Sequence, residues 1–327
     1  MAFDVTGISA WTNELADRSD WILKPILGAD TLSKLPSITK LKNLKGFTDK
    51  IPTFETTTPW QSGAACAFTT SGTTTIAQLS FTTTPIQVNE QICLNDLDTY
   101  AFNQYVNKKG MDETFGLLDL WVNRKLAQTA LQVESALWQA KTTYTNATHL
   151  KRFNGWISTL DTAGTAIAAT QQASITTSTV RGIIEEIAYT KIPSRIRSMN
   201  PVIVCGQDTF NIYRNKLMVD NLYHFDPTND NMGGWSMNVF GTNVKLIGLV
   251  GLNNDNAVDT GALPTAVKNR IFATYQENLV LGFNAENDDK SFDVWYSKDD
   301  RVLKYMSRWY MGVGFLYPDL VVQYTNS

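Results

Sequence analysis

Two histidines, His149 and His224, and three cysteines, Cys66, Cys93 and Cys205, are all the imidazoles and thiols of this 327-residue chain. Nucleophilic, metal or acid–base chemistry would have to be built from these groups and the carboxylates. Their spacings do not support it. The chain contains no His-Glu-x-x-His, Gly-x-Ser-x-Gly, P-loop or Gly-x-Gly-x-x-Gly pattern. His224 lies near Asp226, with Cys205 upstream, but no spacing puts the three on one element, so a structural role is expected for them. Asp226 to Gly234 has oxygen ligands at alternating positions, as a calcium loop does, but lacks the terminal Glu. It reads as a polar loop, and so does Asn253 to Asp259. The carboxylate pairs Asp288-Asp289 and Asp299-Asp300 sit beside Lys290, Lys298 and Arg301, which suits exposed turns better than proton transfer. Trp295, Trp309 and Tyr310 could stack on bases, yet core or interface packing is the commoner use of such rings. No catalytic, cofactor-binding or metal-binding residue is expected, and an enzyme is not.

Composition points the same way. Charged residues make up 18% and the net charge is −3, against a usual charged fraction of roughly a quarter. With 15 Phe, 12 Tyr and 9 Trp, a weakly charged surface leans towards an oligomer, because interface cores are depleted of charge. Near-neutrality argues against nucleic-acid binding through a general excess of Lys and Arg. An odd number of widely spaced cysteines fits neither a disulfide framework nor a zinc site. No apolar run reaches about 18 residues, so no membrane helix is expected. The start, MAFDVTGISAWTNEL, has no basic region followed by an apolar block, so no signal peptide is expected and synthesis in a reducing cytoplasm is.

The elements group around one stretch, Met111 to Gln139. Apolar side chains at Met111, Phe115, Leu118, Val122, Leu126, Ala130, Val133 and Leu137 recur at steps of three and four, the signature of one helix face. Asp112, Asn123, Arg124, Gln128, Gln132 and Glu134 are assigned to the other faces. Before this helix, residues 55–90 alternate Thr with Ala77, Leu79, Phe81, Ile86 and Val88, a period-two pattern with good β propensity. Gly63 or Gly72 could turn a hairpin there. Between Lys50 and Lys108 there is no Lys or Arg, so the ribbon lacks the charges that guard an edge strand, and its pairing with a neighbouring subunit is expected. Upstream, Lys34, Lys40, Lys42, Lys45 and Lys50 form a basic arm, expected to lie solvated on an acidic neighbour. Weak helical hints at Ile8–Leu15 and Trp21–Leu27 precede it. Thr142 to Ser178 reads as strand and loop surface. Then come a Ser178-capped helix over Val180–Lys191, a strand at Val202–Cys205 and a helix at Asp208–Leu217. Strands are expected at 237–239, 244–249, 270–275, 279–283, 292–296, 302–314 and 319–324. The class is α+β.

This order of elements resembles the Hong Kong 97 type of tailed-bacteriophage major capsid protein over nearly the whole chain. Local echoes are Ser198-Met199-Asn200-Pro201-Val202-Ile203-Val204 before a helix, Val239-Phe240-Gly241-Thr242-Asn243-Val244, and Arg301–Tyr310 leading to Gly312-Val313-Gly314. The resemblance implies an N-terminal arm (1–54), an extended β-ribbon or E-loop (55–90), a peripheral part with the spine helix at 111–139 (91–175), an axial domain (176–265) and remaining axial and peripheral strands (266–327). It also implies hexamers and pentamers closing an icosahedral shell around double-stranded DNA, in a virion assembled in the host cytoplasm. Scaffolding, portal or cement proteins would be partners. One departure is plain: residues 55–90 hold no Lys for the E-loop cross-link of the best-known member. An encapsulin-like shell around cargo enzymes, a cytosolic α+β metal-dependent hydrolase and a surface-array or fibre protein stay open on sequence alone.

Overall fold

The computed structural model describes residues 29–42, 48–60, 70–93, 112–144, 149–220, 234–253, 269–284, 292–300 and 302–326. The hints before Ala29, Cys66, His224, Asp288-Asp289 and most of the 226–234 and 253–259 loops lie outside them.

Helix α1 (Asp30–Lys34) and strand β1 (Thr39–Lys42) come first. Strands β2 (Thr48–Thr57) and β3 (Thr73–Thr82) form a two-stranded antiparallel ribbon, and β4 (Thr84–Cys93) leaves it for another sheet. Helix α2 (Asp112–Gln139) follows, 28 residues or roughly 42 Å long. Next are α3 (Trp156–Ala163), β5 (Ile167–Ala168), α4 (Val180–Glu186, prolonged by a π turn to Lys191) and α5 (Ser194–Arg197). Strand β6 (Val202–Gly206) runs into α6 (Gln207–Val219), then β7 (Ser236–Asn238) and β8 (Lys245–Leu249). The last strands are β9 (Ile271–Thr274), β10 (Leu279–Asn284), β11 (Phe292–Ser297), β12 (Val302–Phe315) and β13 (Val322–Tyr324).

Two larger sheets carry the body. One has the order β5-β13-β9-β6-β8-β7; in the other, β1-β10-β12-β11, strand β4 also pairs with β12. In the first, β6 is parallel to β8 and antiparallel to β9, and every residue of β6 is buried. That is why Val202-Ile203-Val204-Cys205 reads as an unbroken apolar run: both faces of the strand are covered. Val202 and Val204 join the core beneath α2, while Ile203 and Cys205 join the core beneath α4 and α6. Burial pushes the Cys205 thiol pKa well above its ordinary value. Strand β12 is the hub of the second sheet. Its first half lies between β11 and β4, and its second half pairs with β10. The exposed Gly182 of α4 has open space where a Cβ would go. Gly182→Ala is therefore expected to stabilise the subunit by about 0.5–1 kcal/mol, read as a higher thermal midpoint.

Three sequence expectations need correction. The ribbon begins at Thr48, inside the stretch assigned to the arm, and ends at Thr82, so 84–93 is body sheet rather than ribbon. It therefore does hold one lysine, the exposed Lys50 opposite Ser80. Part of the basic arm folds onto the subunit itself: β1 pairs in parallel with β10, and Lys34 binds Asp30 and the Gly248 carbonyl. Finally, the supposed surface at 142–178 contains α3, whose Trp156 is fully buried and donates its indole N–H to the Gly314 carbonyl.

Candidate assembly surface

The ribbon is exposed along most of its length. Ten residue pairs run from Thr48↔Thr82 to Thr57↔Thr73. Thr side chains meet across it at Thr48/Thr82 (3.3 Å), Thr56/Thr74 (3.4 Å) and Thr57/Thr73 (2.9 Å). Such cross-strand pairs contribute roughly 0.2–1 kcal/mol each. They keep a solvated ribbon in register without a core. Opposed residues share a face, so Ile51, Leu79, Thr53 and Ala77 lie on one side and Pro52, Gln78, Phe54 and Ile76 on the other. Phe54 and Ile76 face each other across the ladder, 55% and 65% exposed, and Trp60 beyond the shaft is 99% exposed. An isolated two-stranded hairpin is marginal in water, and exposed aromatic and branched side chains on an edge invite a partner.

At its root the ribbon is fixed to the body. Phe81 and Thr83 are buried, and β3 passes over β12 where Gly312 and Gly314 lie. A Cβ on Gly312 would stand 2.3 Å from the Thr82 carbonyl oxygen, and one on Gly314 would stand 3.4 Å from the Phe81 ring. The Gly-Val-Gly sequence is thus the saddle on which the ribbon sits.

A second device, missed by sequence reasoning, holds the amino-terminal segment to α2. Glu134, placed on an outer face by periodicity, is 2% exposed. Its carboxylate accepts hydrogen bonds from the Thr31 N–H (2.9 Å), the Thr31 hydroxyl (2.6 Å) and the Gly251 N–H (3.2 Å). Trp138 donates its indole N–H to the same Thr31 oxygen at 2.8 Å. Gly251 must be glycine, because a Cβ would stand 2.6 Å from the Glu134 carbonyl oxygen. Burial raises the Glu134 pKa above its ordinary value despite the hydrogen bonds from Thr31 and Gly251, and nearby Asp30 adds to the rise. The only sequence signal was a Glu inside the last three turns of a long helix, which does not distinguish a solvated from a buried carboxylate.

The residues first considered for chemistry are scattered. His149 lies in the 149–153 loop and Trp309 inside β12, whereas Trp295 is on the outer face of β11. Asp300 sits in a tight turn, where Lys304 and the Ser297 hydroxyl hold its carboxyl below the usual range. No three His, Cys, Asp or Glu side chains cluster among the described residues, and no helix among them is long and apolar enough to cross a membrane.

Compared with known proteins, the chain matches no family model and no curated protein sequence. Its fold, by contrast, matches solved phage capsid structures. A chain of the satellite phage P4 procapsid, which includes the size determination (Sid) protein, superposes with a TM-score of 0.56 at 9% identity, covering 100% of this chain and 92% of that one. The capsid of an empty GTA particle gives 0.55 at 12% identity, over 91% and 90% of the two chains. A structure of Gordonia phage Cozz gives 0.55 at 14% identity, over 91% and 87%. The chain has a tailed-phage capsid-like α+β fold.

Proposed function

We propose that the chain is a capsid subunit whose copies close into an icosahedral shell of hexamers and pentamers around double-stranded DNA. The observation that carries this reading is the ribbon: a regular ten-pair ladder, fixed at its root and solvated on both faces of its outer half, in a chain with a capsid-like fold. A single subunit gains nothing from holding Phe54, Ile76 and Trp60 in water. A neighbour that covers them gains about 25 cal/mol for each Å² of apolar surface removed. In this reading the ribbon is the E-loop and α2 the spine. The ribbon, the amino-terminal arm and the edges of the peripheral and axial regions make many weak, symmetric contacts, and closure makes them cooperative. Scaffolding, portal or cement proteins act in trans, DNA is held by non-specific contact, and no step of covalent catalysis is required. The particle is the site of action, and the host cytoplasm is where it is built.

Negative-stain microscopy and analytical ultracentrifugation of the purified chain test the reading. Closed particles or capsomer-sized rings are expected. A protein that remains a monomer at high concentration, with and without co-expressed partners from its own genome, would refute it.

A further inference from the structure

Beside the ribbon root, between β4, α2, the 149–153 loop and β12, lies a cavity of about 280 Å³. Its walls mix apolar side chains, with Val88, Val133, Phe153 and Met311 among them, and polar ones such as Gln132. Trp309 also lines it. That side chain is 4% exposed, and its indole Nε1 has no hydrogen-bond partner among the described residues. Arg152 stands at the rim, exposed, with no carboxylate partner among the described residues. The volume falls below the roughly 300–1,000 Å³ of a drug-sized ligand site and suits one large side chain.

We infer that this cavity is a socket for the ribbon end of a second copy of the chain, with Trp60 as the inserted side chain. Three observations select this occupant. Trp60 is 99% exposed, the most exposed of the large hydrophobic side chains described. The ribbon cannot fill its own socket: its ten-residue strands hold the outer end roughly 33 Å from the root, whereas the socket adjoins the root through Ile86 to Asn89. Charge also matches, since Glu55 is the only charged residue between Lys50 and Glu90 and is exposed on the outer ribbon, while Arg152 at the rim has no carboxylate partner among the described residues. The inference rests on the shell reading and adds to it the acceptor site on the neighbour.

The test uses the full chain with the photoreactive residue p-benzoyl-phenylalanine replacing Trp60, irradiated after assembly and mapped by mass spectrometry. Expected are cross-links between copies, landing on the peptides that carry Val133, Phe153 or Trp309. Closed particles whose cross-links fall elsewhere on the neighbour overturn the socket and leave the shell reading standing. An unsubstituted chain that stays a folded monomer under the same conditions overturns both. A charge exchange gives an independent readout. Glu55→Arg and Arg152→Glu are each expected to lower particle yield several-fold, and the double variant to restore it. A double variant no better than the worse single one overturns the pairing of Glu55 with Arg152.

Discussion

Gly312→Val is expected to give a folded subunit that does not form shells. The added Cβ would stand 2.3 Å from the Thr82 carbonyl oxygen and 3.2 Å from the Thr83 Cα. Both are backbone atoms, so no side-chain rotation relieves the clash. Strand β12 cannot yield either, because Gly312 is paired with Gly282 of β10 and the neighbouring Met311 with Thr84 of β4. The ribbon root must lift, taking the buried Phe81 off Gly314. Overpacking of this kind costs about 1–3 kcal/mol, which a body with two large cores tolerates. The ribbon's direction is less forgiving: a tilt of about ten degrees at the root becomes about 6 Å at an end roughly 33 Å away. Sedimentation and microscopy should show monomers or irregular aggregates, with far-ultraviolet circular dichroism unchanged. Gly182→Ala, which meets open space, should assemble normally. Wild-type shell yield from Gly312→Val would show that the saddle does not aim the ribbon.

The largest stability loss is expected from Glu134→Leu. It leaves the Thr31 and Gly251 amides, both enclosed, without an acceptor. At roughly 1–3 kcal/mol for each orphaned donor, the loss is about 2–6 kcal/mol. Glu134→Gln keeps one oxygen for the Thr31 hydroxyl and Gly251 but turns an amide N–H₂ towards the Thr31 N–H, so roughly 1–3 kcal/mol is expected. Thermal melts should therefore rank wild type, Glu134→Gln and Glu134→Leu in falling order; a leucine variant at least as stable as the glutamine one would show that the clamp is not satisfied by the carboxylate. The pH dependence has a definite sign. The folded pKa of Glu134 is raised, so its contribution is fully present below the unfolded value and is lost as pH rises through the folded one. Glu134→Gln should flatten that part of the stability profile.

The correct and the mistaken sequence expectations have physical causes. Helix α2 was legible because its apolar steps of three and four run uninterrupted, and the structure starts it at Asp112 and ends it at Gln139. Strand β6 and helix α6 were legible because an apolar run, a glycine and an amphipathic stretch follow one another. The Thr ribbon was legible as a period-two pattern, but its ends were not. The alternation runs straight through Thr82, Thr83 and Thr84, and only the saddle on β12 decides that the chain changes sheets there. Helix α3 was missed because its eight residues are too few to show a period and its stability comes from outside, through Trp156 packed at a tilt against Trp138 and bonded to Gly314.

By itself the sequence determined the order of the elements, the α+β class, the solvated Thr ribbon and the absence of any familiar catalytic motif. Each of these is a property of neighbours along the chain. The tertiary structure alone decided which polar residue is buried, where the ribbon is hinged and where a socket opens. Glu134 looks like any solvated helix glutamate until residues 133–140 are enclosed on all sides by α1, the 250–252 turn and α3. Trp309, Arg152 and Val88 form one cavity only because β12, the 149–153 loop and β4 are brought together by long-range pairing. Periodicity reports one helix or one strand at a time, whereas burial and cavities are properties of several elements packed together.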